Sequence, residues 1–192
     1  MNKIVIVTGS PGAGKSSVTG AVQNDKGYTL VNVGDIMEKV AKEKGYVKDR
    51  DEMRYMSNEH ITELRKLAAK HIAGLPGKII VDTHATVQQH NRYVPGLPGQ
   101  FLQDLGNVVG LFYIDADPKD ILRRRGADRS RTREEEPLHV LETQRLVNIA
   151  TLSAYSSQLN IPLYVILNQD GKLEEAKGLL RTHLADAFGE NK

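Results

Sequence analysis

The sequence predicts a single α/β domain: a five-stranded parallel sheet flanked by helices. Three observations lead there. Short runs rich in β-branched residues alternate with longer stretches of helical periodicity, the order expected of parallel strands joined by right-handed crossovers. Most of those runs are continuously apolar rather than alternating, as strands covered on both faces are. The 192 residues suit one domain with a sizeable core, and no linker-like composition divides them.

The strands read as residues 3–8, 28–33, 78–82, 108–114 and 163–167, and the helices as 14–23, 36–44, 58–73, 98–105, 118–125, 137–159 and 173–187. In the second helix Ile36, Met37, Val40 and Ala41 share a face. In the third, Ile61, Leu64, Ala68 and Ile72 recur at three- and four-residue spacing, with Ser57 placed as N-cap and Pro76-Gly77 beyond the end. In 137–159, Leu138, Leu141, Leu146, Ile149 and Leu152 suit either a core or a subunit contact, and periodicity does not separate the two. Two stretches exceed a minimal sheet. Residues 34–77 read as a helical insertion, and the charged, almost non-apolar segment at about 126–137 reads as a short lid.

Composition narrows the function. There are 26 basic and 24 acidic residues, a net charge of +2, and no cysteine. The balance is too even for a nucleic-acid coat protein, so no nucleic-acid partner is expected. The missing thiols exclude disulfides, thiolate metal sites and cysteine nucleophiles. No apolar run approaches the ~20 residues that span a bilayer, and the first residues lack a signal-peptide pattern. A cytoplasmic protein with no membrane partner is expected.

The strongest motif is Gly9-Ser10-Pro11-Gly12-Ala13-Gly14-Lys15-Ser16, which fits G-x-x-x-x-G-K-[ST] between a strand and a helix. Gly12 and Gly14 let the backbone approach phosphate without a Cβ in the way, and the amides through Ser17 point at an anion. Lys15 then serves the β- and γ-phosphates, and the Ser16 hydroxyl is a Mg²⁺ ligand. The sheet is therefore expected to have the P-loop NTPase fold. Asp82, closing the third strand, is the candidate to hold Mg²⁺ through water, with Asp115 as competitor.

A P-loop does not by itself choose among kinase, switch and ATPase. Asn168-Gln-Asp-Gly171 lacks the lysine and spacing of a guanine-reading loop, and Asp82 is followed by Thr-His-Ala rather than the D-x-x-G of a switch. Six arginines fall between 123 and 133, among them Arg124, Arg125, Arg131 and Arg133. Such a cluster suits the charge spread over a transferring phosphoryl group. In the insertion, Arg50 and Arg54 stand four apart, placed on one helical face to grip an acceptor phosphate. Thr83, His84 and Thr86 follow the Asp82 strand end, where ligands collect in open α/β sheets, and are candidate acceptor contacts.

With these residues together, the chain from about 3 to 187 resembles the archaeal-type adenylate kinases. The likeness rests on GSPGAGKSS, the Val33-Gly34…Met37 turn, DRDEMR, VDTHATV followed by Tyr93 and Gly96-Leu97-Pro98, the arginine segment, and Asn168-x-Asp170-Gly171. It implies the reaction Mg-ATP + AMP ⇌ 2 ADP, a lid without zinc, and a homotrimer. By match, Gly9 to Ser17 cradle ATP, and Lys15, Arg124, Arg125, Arg131 and Arg133 surround the transferring phosphoryl. Gly34, Asp35, Arg50 and Arg54 lie on the AMP side, and Asn168 and Gly171 lie near adenine. The chain departs from the pattern in three places. It has QQHNRY around Arg92 where a KTPKGY-like string is usual, Asp35 where threonine is common, and Arg145 one turn before the usual arginine near Ile149. A sibling kinase of the cytidylate or shikimate type, or a nucleotide-dependent regulatory ATPase, stays open as an alternative.

Overall fold

The strand β1 (Lys3–Gly9) carries four consecutive aliphatic residues, Ile4, Val5, Ile6 and Val7, none of which meets solvent. Such a strand needs a partner on each edge and cover on each face. β3 (Lys78–Asp82) lies along one edge and β6 (Val108–Asp115) along the other. β2 (Thr29–Asn32) then adds beyond β3, and β7 (Leu163–Leu167) beyond β6. All pairings are parallel, in the order β2-β3-β1-β6-β7. The structure is a computed structural model describing residues 2–89, 92–127 and 137–190, apart from the side chains of Arg54 and Ala127.

Two-residue periodicity sorts the core into layers. Ile4, Ile6, Ile79, Val81, Leu111 and Tyr113 face α2 (Val33–Glu43), α3 (Asn58–Ala73), α4 (Gly99–Leu105) and α6 (Leu138–Leu159) through Met37, Leu64, Ile72, Phe101 and Leu152. Val5, Val7, Ile80, Phe112 and Ile114 face α1 (Lys15–Thr19) and α7 (Leu173–Phe188) through Val18, Leu180 and Leu184. α5 (Pro118–Ala127) follows β6. The chain leaves β1 toward β2 but leaves β3 toward β6, so the two connections part on opposite sides of neighbouring strands. The crevice beyond the carboxyl ends of β1 and β3 is where this topology collects ligands. Among the described residues, no helix is long and apolar enough to cross a membrane.

The five strands fall where the sequence puts them, to within a residue or two at their ends. The helices differ more. α1 stops at Thr19 rather than continuing to residue 23, and the chain beyond Gly20 closes on i+3 bonds, Ala21 to Val18 and Val22 to Thr19, both 3.1 Å. α2 begins at Val33, straight off β2, because the Asn32 side chain accepts a bond from the Asp35 amide at 3.1 Å. Ser57 caps α3 as expected, bonding the His60 amide.

Two expectations need correction. Residues 51–55 form a 3₁₀ turn with Arg50 as its N-cap, not a stretch of α-helix. At about three residues per turn, positions four apart no longer share a face, so the one-face placement of Arg50 and Arg54 fails. The Arg54 side chain lies outside the described residues. The loop read across 83–93 contains a small antiparallel hairpin, β4 (Thr86–Gln89) with β5 (Arg92–Pro95). It is held from outside, by Arg65 Nη2 bonding the Pro95 carbonyl at 2.9 Å. Burial of that guanidinium lowers its pKa. On α6 the alternatives left open for the leucines divide: Leu141 and Leu152 are buried with Gln144 and Asn148, whereas Leu146 is 64% exposed.

Candidate active site

The P-loop leaves β1 and turns through two left-handed residues, Gly12 at φ 93° and Gly14 at φ 82°. At Gly14 a side chain is excluded twice, because a Cβ would also stand 2.3 Å from Asn168 Nδ2. α1 then opens with no side-chain cap, which leaves its first amides to an anion. Ser10 O accepts the Ala13 amide at 3.0 Å, closing the loop on itself.

Three side chains from the far half of the sheet pin this loop. Asn168, at the end of β7, donates to the Ala13 carbonyl at 2.8 Å. Arg124 bonds the same carbonyl at 3.3 Å, the Asn168 carbonyl at 2.8 Å and Asp170 at 2.6 Å. Arg125 donates through Nε and Nη2 to the Pro11 carbonyl at 2.9 and 2.7 Å. Its stem lies over Gly12, within 3.1 Å of where a Cβ would stand. Gly171, in the left-handed region at φ 75°, turns the chain after Asp170 into α7.

Across the crevice Lys15 pairs with Asp82 and donates to the Thr83 carbonyl at 2.8 Å. Ser16 lines the same cleft. A hydroxyl and a carboxylate are oxygen donors of the kind that suits Mg²⁺. Asp115 does not compete for that role. Its carboxylate is closed to solvent, takes Arg145 Nε at 2.7 Å, and caps the Ala116 amide at 3.0 Å. That bond holds the Arg145 guanidinium above its ordinary pKa. Arg145 is thus held through Nε by Asp115, one turn before the position where an arginine is usual.

On the opposite side, Arg50 Nη1 sits 2.5 Å from Asp35 and 3.5 Å from Glu38. Gly34 lies beneath it, and a Cβ there would meet Arg50 Nη2 at 2.7 Å. The walls enclose a cleft of about 450 Å³ lined by the P-loop glycines, Ser10, Pro11, Lys15, Ser16, Ser17, Asn32, Arg50, Asp82, His84, Arg124 and Arg125. Among the described residues Lys15, Arg50, Arg124 and Arg125 give the cleft a cationic lining, offset in part by Asp82 and by the carboxylates paired with Arg50 and Arg124, and such a lining suits polyphosphate.

Most of the residues singled out in the sequence converge here. Ala13 contributes backbone only, its side chain being buried against Ile121 and Leu141. Thr83 contributes its carbonyl to Lys15. Thr86 is placed differently from expectation. It is 8% exposed, and its hydroxyl donates to Asn148 Oδ1 on α6 at 2.6 Å instead of facing an acceptor. Arg131 and Arg133 lie outside the described residues, as does all of the expected lid but its ends. Sequence reasoning missed Asn32, Tyr113 and Asn148. The signal for Asn148 was available: it is one of two amides on the core face of α6, where an amide needs a partner.

Comparison with known proteins agrees with this geometry. The family described as AAA domain matches residues 8–142. An adenylate kinase of Methanopyrus kandleri is 39% identical over 181 residues, covering 92% of this chain and 94% of that protein. One of Pyrococcus furiosus is 39% identical over 178 residues, covering 90% of each, and one of Thermoplasma acidophilum is 36% identical over 171 residues, covering 89% and 92%. Among solved structures, a shikimate kinase from Acinetobacter baumannii in complex with shikimate superposes with a TM-score of 0.62 at 14% identity, covering 100% of this chain and 96% of that one. A gluconokinase from Sinorhizobium meliloti gives 0.52 at 14% identity, covering 99% and 98%. These two share the fold. The relatives in sequence share more, and the chain belongs to the family of archaeal adenylate kinases.

Proposed function

We propose that the chain catalyses reversible phosphoryl transfer from Mg-ATP to AMP, giving two ADP. The observation that carries this reading is the cleft itself, with the P-loop and Lys15, Arg124 and Arg125 on one wall and Arg50 and His84 on the other. A donor triphosphate lies along the loop amides. An acceptor phosphate enters beside Arg50, and the cations between neutralise the charge spread over the transferring group. Ser16 and Asp82 would hold Mg²⁺, Asp82 through water, and the ion when bound would supply positive charge to the phosphates. Residues 34–77 serve as the acceptor-binding insertion, with Gly34 and Asp35 beside Arg50. The segment 126–137, with Arg131 and Arg133, serves as the lid. Asn168 and Gly171 border the adenine of the donor. A cytoplasmic location goes with these substrates.

A homotrimer belongs to the same reading. Leu146 on α6 and Val165 and Leu167 on the edge strand β7 are 64%, 45% and 48% exposed, which supports a subunit contact there. Light scattering tests it: Leu167→Glu is expected to lower the assembly mass to that of the monomer, and a wild-type monomer overturns it.

The reaction is tested by following ADP from ATP with AMP, CMP or shikimate as acceptor. Turnover with AMP at least a hundredfold above the others is expected. Preference for another acceptor, or hydrolysis that no acceptor changes, overturns the proposal.

A further inference from the structure

Asp170 stands in the turn between β7 and α7, and both of its carboxylate oxygens are taken by arginines of α5. Oδ1 accepts Nε and Nη2 of Arg124 at 2.8 and 2.6 Å, and Oδ2 pairs with Arg123. The Asp170 amide points at Asp120 Oδ2, 3.4 Å away, and Asp120 Oδ1 holds Arg123 from its own helix at 2.9 Å. The turn is anchored to the sheet as well, because the Asn168 amide donates to the Asp115 carbonyl at 2.8 Å. Asp170 does not line the cleft, whereas Arg124 does.

Counting donors shows what this grip leaves over. A guanidinium has five N–H groups in one rigid plane. In Arg124, Nε and one hydrogen of Nη2 go to Asp170, and the other hydrogen of Nη2 goes to the Asn168 carbonyl at 2.8 Å. Nη1 makes one bond, to the Ala13 carbonyl, and at 3.3 Å it is the longest of the set. Among the described residues the fifth donor, also on Nη1, has no partner. Nη1 is the nitrogen beside the P-loop, since a Cβ at Gly14 would stand 3.7 Å from it. The carboxylate thus fixes the plane of the fork by its Nε/Nη2 edge and leaves the nitrogen nearest the phosphate cradle. Arg50 is arranged the other way. Its bonds to Asp35 and Glu38 both come from Nη1.

We propose that Asp170 is a positioning residue: by gripping the Nε/Nη2 edge of Arg124 it presents Nη1 to the donor phosphates, and so ties phosphate binding to the turn that follows β7. This deepens the phosphotransferase reading and rests on it for the ligand of the P-loop, a triphosphate. Without the carboxylate, Arg124 keeps the Asn168 carbonyl and the long bond to Ala13, and a long side chain so held has more rotamers to lose when phosphate arrives. The other half of the carboxylate matters less, because Arg123 is 63% exposed and retains Asp120.

The test is calorimetric binding, with Mg²⁺ and no acceptor, of two probes: an ATP analogue nitrogen-bridged between its β- and γ-phosphates, and inorganic tripolyphosphate, which has no base. The proteins are wild type, Asp170→Ala, Asp170→Asn, Arg124→Ala and the Asp170→Ala/Arg124→Ala double variant, each checked for cooperative thermal unfolding. Asp170→Ala is expected to weaken both probes by about three- to tenfold, the scale of a charge-assisted bond at a partly exposed site. Asp170→Asn keeps an oxygen for Nε and Nη2 and should stay within about twofold of wild type. In the Arg124→Ala background, Asp170→Ala should change nothing further, because the residue acts through that arginine. Four results overturn the proposal. Asp170→Ala that binds within twofold of wild type, or more tightly, shows that the carboxylate does not position the arginine for phosphate. A loss seen with the ATP analogue but not with tripolyphosphate puts Asp170 against the base. Asp170→Asn as weak as Asp170→Ala makes the effect one of charge. Losses that multiply in the double variant make it independent of Arg124. If Asp170→Ala does not fold, Asp170→Ser, which also gives up the carboxylate, takes its place. Because no acceptor is present, the result stands apart from the turnover assay, and failure of either reading is visible without the other.

Discussion

Replacing Asp35 by asparagine tests how the acceptor wall is charged. In the structure Arg50 is already partnered, 2.5 Å from Asp35 and 3.5 Å from Glu38. An incoming phosphate dianion must therefore take Arg50 from a carboxylate and then sit near that carboxylate's charge. The Arg50 and Asp35 side chains are 55% and 66% exposed, so the pair belongs with surface ion pairs, worth about 0.2–1 kcal/mol. Releasing it should lower the KM for AMP by about twofold, and by about fivefold at most. Glu38, whose side chain is only 21% exposed, keeps part of the competition alive. The assay is initial-rate ADP formation at saturating ATP, with AMP varied at low ionic strength and again near ~0.5 M KCl, where exposed charges are screened within a few ångströms. Wild type and Asp35→Asn should differ at low salt and converge at high salt. A KM that rises in the variant would mean Asp35 accepts a bond from the acceptor itself. The competition argument would then be wrong.

Other changes probe other parts of the molecule. Lys15→Met removes the cation nearest the phosphates, and kcat/KM with ATP and AMP should fall about a thousandfold or more, about 4 kcal/mol of transition-state stabilisation; a loss under tenfold contradicts the cradle assignment. Arg145→Ala leaves the Asp115 carboxylate buried without its partner, and urea unfolding should show a loss of about 3 kcal/mol, with a smaller loss for Asp115→Asn, which removes the charge instead of stranding it. Burial and the Asp186 carboxylate raise the Tyr164 pKa from 10.0 to about 12. A proton held more tightly by the folded state stabilises it fully below pH 10, and that contribution fades as pH rises toward 12. The decline in urea midpoint over that interval should therefore be shallower in Tyr164→Phe than in wild type, and parallel curves would contradict it.

The sheet was legible because burial on both faces writes a strand as an unbroken apolar run: Ile4 to Val7 admits few other readings. The P-loop was legible because backbone geometry, rather than side-chain packing, dictates its residues, and Gly12 and Gly14 do occupy left-handed conformations. What was hidden depends on contacts between distant segments. The β4–β5 hairpin has too few apolar residues to announce itself and is held by Arg65 and Asn148, 30 and 62 residues away along the chain. Thr86 looked like a ligand contact because it follows the strand end, but its direction is set by an amide on α6. Helical spacing put Arg50 and Arg54 on one face, whereas the chain there winds as a 3₁₀ turn. On α6, periodicity could not separate core from subunit contact for the leucines, because Gln144 and Asn148 take core positions while Leu146 stays exposed.

The partners of the four cations in the cleft mix carbonyls and carboxylates in different proportions, and the difference bears on how the site works. Arg124 is held by the Ala13 and Asn168 carbonyls together with the Asp170 carboxylate, and Arg125 donates twice to the Pro11 carbonyl. A guanidinium has five N–H donors in a fixed fork, so these bonds to neutral oxygens persist while other donors turn to phosphate. Such arginines are set before the ligand arrives, and little side-chain entropy remains to be lost. Lys15 is held by the Asp82 carboxylate as well as the Thr83 carbonyl, and Arg50 by the Asp35 carboxylate. A phosphate competes for the same positive charge, so here binding is an exchange of one anion for another. At Lys15 the exchange frees Asp82 for the proposed Mg²⁺ site, and the same step that turns the lysine to phosphate prepares a place for the metal. Removing Asp82 would thus loosen Lys15 as well as the metal, which predicts that Asp82→Asn weakens magnesium-dependent turnover far more than metal-free nucleotide binding. Comparable losses in both would place Asp82 with the lysine alone.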